Sequence, residues 1–179
     1  GKSSSAEDYL FVKSLDVSFG SDVSAKVVFF DGTQKTVDLD QVTYVNAYDQ
    51  KVTEDVSYTP AAGGVAASGN VQVNTVYKYT AGSSDYDLEA VTNEKDTGAA
   101  DKDTISNKTP TIAGNKTSIV TTDSQTVFVD AENNKTWTGY KNVSNKTNAN
   151  VAAVKNSDGV AEIVFIYGSK ISSSANDDD

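Results

Sequence analysis

Residues 26–40 read KVVFFDGTQKTVDLD, an apolar run, an Asp-Gly pair, and then alternating polar and apolar residues. A two-residue loop at Asp31-Gly32 would set Lys26 opposite Val37 and Ser24 opposite Leu39, mixing polar with apolar on each face. A three-residue loop, Phe30-Asp31-Gly32, pairs Ala25 with Val37 and Val27 with Lys35 and gathers the apolar residues on one side. Gly32 then takes the positive φ that the third loop position requires. The stretch is a β-hairpin, and its turn has neither the spaced acidic ligands of a calcium-binding EF-hand nor the glycine-plus-lysine pattern of a phosphate loop.

Strands extend outward from it. Tyr9–Val17 precedes the hairpin, and Val42–Ala47, Lys51–Ser57, Val71–Thr80 and Tyr86–Val91 follow. In VQVNTVYKYT the alternation puts Val71, Val73, Tyr77 and Tyr79 on one face. Thr59–Asn70 is a loop of small residues, expected to be mobile. Further strands are expected at Ser118–Thr121, Thr126–Asp130, Thr136–Asn142, Val151–Lys155 and Val160–Tyr167. The last two flank a second Asp-Gly, where a two-residue loop at Asp158-Gly159 pairs Val154 with Ile163, Ala152 with Phe165 and Lys155 with Glu162. No segment keeps apolar residues at helical spacing over three turns.

The fold class is therefore all-β, with two small tandem antiparallel modules, sandwich- or barrel-like, joined by hairpin turns. The most polar long stretch sets the boundary. We expect a disordered tail at 1–8, an N-terminal module at 9–95, a polar linker at 96–117, a C-terminal module at 118–171 and a disordered tail at 172–179. No strict sequence repeat links the halves.

The 179 residues contain no Cys, His or Met, and all 15 basic residues are Lys. Nucleophilic catalysis through Ser-His-Asp or Cys-His, and soft-metal sites of the usual ligand types, are excluded with them. A net charge of -10 without arginine argues against nucleic acid as a partner, because phosphate neutralisation and guanine reading both need basic side chains. The longest apolar runs fall well short of the roughly 20 residues that span a bilayer, and no signal peptide opens the chain. No membrane insertion and no cofactor are expected.

Asp85, Asp87 and Glu89 alternate, so their carboxylates share one strand face, as a weak calcium-binding surface or half of a glycosidase pair would. A solvated face is the stronger reading for them, and for Asp38 with Asp40 and Asp101 with Asp103. Trp137 and Tyr140, with Tyr44 and Tyr48, are candidates for an aromatic platform that stacks on sugars, against core or cross-strand packing as the more frequent role. Asn-X-Ser/Thr occurs at Asn107, Asn115, Asn134, Asn142 and Asn145 and reads as polar loop composition.

Four segments, VVFFDGTQKTVDLD, VYKYTAGSSDYDLEAV, DSQTVFVDAENNKTWTGYKNVSN and VAAVKNSDGVAEIVFIYG, together resemble the β-rich, non-anchoring region of surface proteins of anaerobic Gram-positive bacteria that carry S-layer homology repeats. The resemblance spans roughly Tyr9–Gly168. It implies an exported, cell-wall-associated structural or display module and not an enzyme. Its partners would be other domains of the same protein, neighbouring surface proteins or glycans. The wall-gripping helical repeats are not in these residues, so anchoring is expected elsewhere in a longer protein, and the resemblance transfers no functional residue. The alternative function is a carbohydrate- or mucin-binding module built on Trp137 and Tyr140, calcium-assisted; a carboxylate glycosidase ranks third.

Overall fold

The computed structural model describes residues 6–91, 94–96, 103–112 and 119–168. Strands joined by turns carry the fold, with three 3-10 turns (Ala6–Asp8, Phe19–Ser21 and Tyr140–Asn142) and no α-helix among the described residues. The chain divides into two compact units, one holding 8–29 and 34–92, the other holding 93–179 with 1–7 and 30–33.

In the N-terminal unit the strands are β1 (Tyr9–Val17), β2 (Val23–Phe29), β3 (Gln34–Val45), β4 (Lys51–Asp55), β5 (Tyr58–Thr59), β6 (Ser68–Gly69), β7 (Thr75–Ala81) and β8 (Asp85–Ala90). Their order is β2-β1-β7-β8-β3-β4, and β2 also pairs with β3, so β1, β2, β3, β8 and β7 close into a ring. Closure gives each of the five strands a partner on both sides for part of its length and leaves the hairpin partner β4 at the edge. Period-two alternation fills the interior with Leu10, Val12, Ala25, Val27, Val37, Leu39, Val42, Tyr77 and Leu88. The ring is not wholly antiparallel, because β3 and β8 run parallel.

The opening hairpin has the expected register, Ala25 with Val37 and Val27 with Lys35, and Gly32 has φ +85°. Asp31 Oδ1 accepts hydrogen bonds from the Thr33 N–H and hydroxyl, at 3.1 and 2.7 Å. Those bonds, the hydroxyl's first, hold the Asp31 carboxyl below its ordinary value. The Asp-Gly pair thus organises a turn.

Two expectations for this unit are corrected. The alternation from Val71 breaks at Asn74, which has φ +57°, so β7 starts at Thr75, and Val71 is buried while Val73 is 39% exposed. Residues 59–70 do not form an open loop, since β5 and β6 pair there and Ala62 bridges Val65. Asn70 secures this small hairpin, its Oδ1 accepting the Ser57 N–H at 2.9 Å and its Nδ2 donating to the Asp55 carbonyl at 2.8 Å.

The C-terminal unit contains β9 (Glu94–Asp96), β10 (Asp103–Ile105), β11 (Thr111–Ile112), β12 (Val120–Thr121), β13 (Val127–Asp130), β14 (Lys135–Thr138), β15 (Lys146–Lys155) and β16 (Ala161–Tyr167). The sheet order is β10-β15-β16-β13-β14, with β9 also along β15 and β11 paired to β12. Strands β10 and β11 lie inside the stretch expected to be a linker. Single isoleucines anchor them, Ile105 at 1% and Ile112 at 3% exposure, and the polar residues around each hide that signal from composition. At the chain ends, Ala6 is buried within a 3-10 turn, while residues 1–5 and 172–179 of the expected tails, and 169–171 of the expected C-terminal module, lie outside the described residues.

At the second Asp-Gly, Val154 pairs with Ile163 and Ala152 with Phe165 as expected, but Lys155 meets Ala161 instead of Glu162. The Asn156 side chain causes the slip, because its Oδ1 takes the N–H groups of Asp158 and Val160 at 2.8 and 3.0 Å and draws in an extra residue. Gly159 has φ +82°, and nothing lies within 4 Å of the place a Cβ would take there. Its cost of substitution is therefore conformational alone. Gly159→Ala is expected to lower stability by about 1–2 kcal/mol, read as a urea midpoint shift without change of slope.

Both units follow one strand plan. In the first, β7 and β8 form a hairpin, β8 runs parallel to β3, β3 forms a hairpin with β4, and β1 flanks β7. In the second, β15, β16, β13 and β14 take those places and β9 with β10 flank β15. The equivalent segments are Thr43-Tyr44-Val45-Asn46-Ala47 and Val127-Phe128-Val129-Asp130-Ala131. The duplication lies in pairing pattern more than in residue identity.

Candidate functional site

The four aromatic candidates do not assemble into one platform. Trp137 lies on β14 opposite Phe128, Tyr140 lies in the following 3-10 turn, and both pack half-buried against the C-terminal core. The Lys141 ammonium stands 6.0 Å from the Tyr140 ring centre. Tyr44 is in the other unit, half-buried against its core, and its hydrogen bond with Glu54 is the main cause of a raised phenol pKa. Tyr48 is 82% exposed at a turn.

A ring cluster that no local pattern in the sequence marks sits in the N-terminal unit. Phe29 and Tyr79 are 5.5 Å apart and Tyr79 stacks on Tyr86 at 5.7 Å, with the Lys35 ammonium 5.8 Å from the Tyr86 ring centre. Phe29, Tyr79 and Tyr86 share the inward register of Val27, Tyr77 and Leu88 and pack on the core. Only closure of the ring of strands brings β2, β7 and β8 together.

Two of the three carboxylates of β8 are engaged by neighbours. Asp87 Oδ1 accepts the Gln41 N–H at 3.1 Å, and Glu89 lies 3.4 Å from the Lys51 ammonium in a largely exposed ion pair. Both line a cleft of about 270 Å³ with Thr43, Lys78 and Tyr79. No group of three or more His, Cys, Asp or Glu placed to hold a metal occurs among the described residues. Asp103 belongs to β10, and Asp101 lies outside the described residues.

Charge accumulates here nonetheless. Partial desolvation, then Asp87, Asp85 and Asp55 in that order, raise the Asp40 carboxyl above its ordinary 3.8. The folded chain therefore holds that proton more tightly than the unfolded chain. The unfavourable contribution is absent below 3.8, grows as pH rises through the folded value, and is complete above it. Asp87→Asn is expected to move the Asp40 transition down toward its ordinary value in a carboxyl-carbon NMR titration; an unmoved transition would refute this coupling.

Of the Asn-X-Ser/Thr sites, Asn142 Nδ2 donates to the Thr138 carbonyl at 2.7 Å and Asn145 Oδ1 accepts the Asn107 N–H at 2.9 Å. Asn134 occupies a turn at φ +60°, and Asn115 lies outside the described residues.

The chemically most unusual arrangement is one that the sequence does not announce. Asp130 ends β13, and its Oδ1 accepts the N–H groups of Glu132 and Asn133 at 2.9 and 3.1 Å. Its Oδ2 accepts Asn133 Nδ2 at 3.0 Å. Lys146 opens β15, and its ammonium nitrogen lies 2.9 Å from the same Oδ2, with both side chains at 0% exposure. That nitrogen makes no hydrogen bond of proper geometry. Lysine is almost never fully buried, and in Asn-Lys-Thr this one reads as part of a polar loop.

No family model, curated protein or solved structure matches the chain.

Proposed function

We propose that this chain is a non-enzymatic structural or display module of a bacterial cell-surface protein, exported and wall-associated, which spaces or presents neighbouring domains. The observation that carries the reading is the repeated strand plan: two units, each with its own apolar core, offer a stackable scaffold. The wide polar strand faces suit constant exposure to solvent. No helix among the described residues is long and apolar enough to cross a membrane. Antibody raised against residues 6–168 is expected to label unpermeabilised cells of the source organism. Labelling that requires lysis would overturn the proposal.

Glycan binding through Trp137 and Tyr140 ranks second, since both rings are already committed in part to the core. Trp137→Ala is expected to cost about 1.5–3 kcal/mol of stability, a fraction of the full core penalty for Trp, while the native protein shows no signal on a glycan array. Binding by the native protein that a folded Trp137→Ala variant loses would establish the glycan role instead.

A further inference from the structure

The turn at the end of β13 has an internal control in the other unit. There Asn46 occupies the equivalent place, and its Oδ1 accepts the N–H groups of Tyr48 and Gln50 at 2.9 and 3.0 Å. A neutral amide organises that turn, its Nδ2 also donating to Gln50 Oε1 at 3.3 Å, so a turn at this place in the strand plan does not require a carboxylate. Asp130 replaces that amide with a carboxylate, whose Oδ2 accepts Asn133 Nδ2 at 3.0 Å and is also met by a fully buried amine at 2.9 Å; the charge is what the neutral turn does without.

As an ion pair the arrangement is poorly provided for. Two desolvated charges recover their lost hydration only when further hydrogen bonds satisfy them, and the Lys146 nitrogen has none of proper geometry. As reactants the same groups are well placed. Nucleophile and carboxyl are held in contact in a site closed to water, which replaces a bimolecular encounter by an intramolecular one. The two backbone N–H donors on Oδ1 stand where negative charge would develop during attack on Cγ.

We propose that Lys146 and Asp130 condense into an intramolecular amide that braces the end of β13 to the start of β15. One proton passes from the ammonium to Oδ2, leaving an amine and a carboxylic acid. The nitrogen lone pair attacks Cγ, the C–N bond forms, and Oδ1 carries the negative charge between its N–H donors. A second proton passes from nitrogen to Oδ2, the C–Oδ2 bond breaks, and water leaves. Ammonium and carboxylate become amide and one water, with no oxidant and no co-reactant. In a chain without cysteine the amide supplies the cross-link that a disulfide cannot. This inference stands apart from the surface-display reading, since the reaction requires only the folded C-terminal unit.

The test is the mass of the intact folded chain. It is expected to fall below the sequence mass by about 18 Da, one water lost to a covalent modification. Trypsin should then release peptides 117–135 and 142–155 as a single linked species, because modified Lys146 is no longer cleaved. The Asp-Gly pairs at Asp31 and Asp158 can lose water by cyclising to succinimide, so Lys146→Met serves as control: it keeps any succinimide deficit and loses the cross-link. Fragmentation of the linked species locates the bond whether or not that variant folds. A folded native chain at its full sequence mass, or a deficit as large in Lys146→Met as in the native chain, overturns the proposal.

Discussion

Asp130→Ala is expected to destabilise the C-terminal unit by about 3–5 kcal/mol, the penalty for removing one member of a buried charged pair. Asn46→Ala, the same truncation at the equivalent turn, is expected to cost about 1 kcal/mol, the worth of ordinary turn hydrogen bonds. The difference is a matter of what remains behind. Asn46 lies at an exposed turn, where water replaces its oxygen. Loss of Asp130 strands Lys146 at 0% exposure, or removes the amide where it has formed; both act in the same direction. Urea unfolding of the two variants side by side gives the comparison. Equal midpoint shifts would mean that Lys146 reaches water once its partner is gone.

The second large effect is expected at Phe128, where truncation to alanine should cost about 3–5 kcal/mol. Phe128 is 1% exposed, lies between Trp137 on β14 and Val164 on β16 in the sheet, and belongs to the C-terminal core with Val151, Ala153 and Ile166. Many of those neighbours are Ala or Val, too small to close over the missing ring. Total stability at this size is only some 0.05–0.15 kcal/mol per residue, so the loss is comparable to everything the unit has. Val127→Ala, on the same strand but half-buried, should cost no more than about 1 kcal/mol. Hydrogen exchange of the β13, β15 and β16 amides should accelerate toward the unfolded rate in Phe128→Ala and change little in Val127→Ala.

The elements legible in the sequence are those specified by neighbours. β1 has the bounds its apolar run suggests, and the pairing of β2 with β3 follows from alternation and one Asp-Gly, because a one-residue slip would turn every valine to the wrong face. What stays hidden depends on partners far along the chain. The parallel pairings of β3 with β8 and of β13 with β16 carry no local mark, so the sequence alone suggests an antiparallel assembly. β10 and β11 are held by one isoleucine each within polar surroundings, a signal smaller than the composition around it. Of the candidate residues, Trp137 and Tyr140 support the core, and the Lys146–Asp130 pair is invisible because Lys146, taken alone, reads as part of a polar loop and Asp130 as the polar end of a strand.

The ring of the N-terminal unit has a kinetic corollary. Its hairpins β1–β2, β2–β3 and β7–β8 join neighbours and can nucleate on their own, but closure requires Asp38 to find Asp85 and Val42 to find Leu88. A search across so much intervening chain is paid for in loop entropy before it returns any contact. Refolding should accordingly be slow for the chain length, on the order of milliseconds to seconds, with hairpin amides protected before those of the β3–β8 seam.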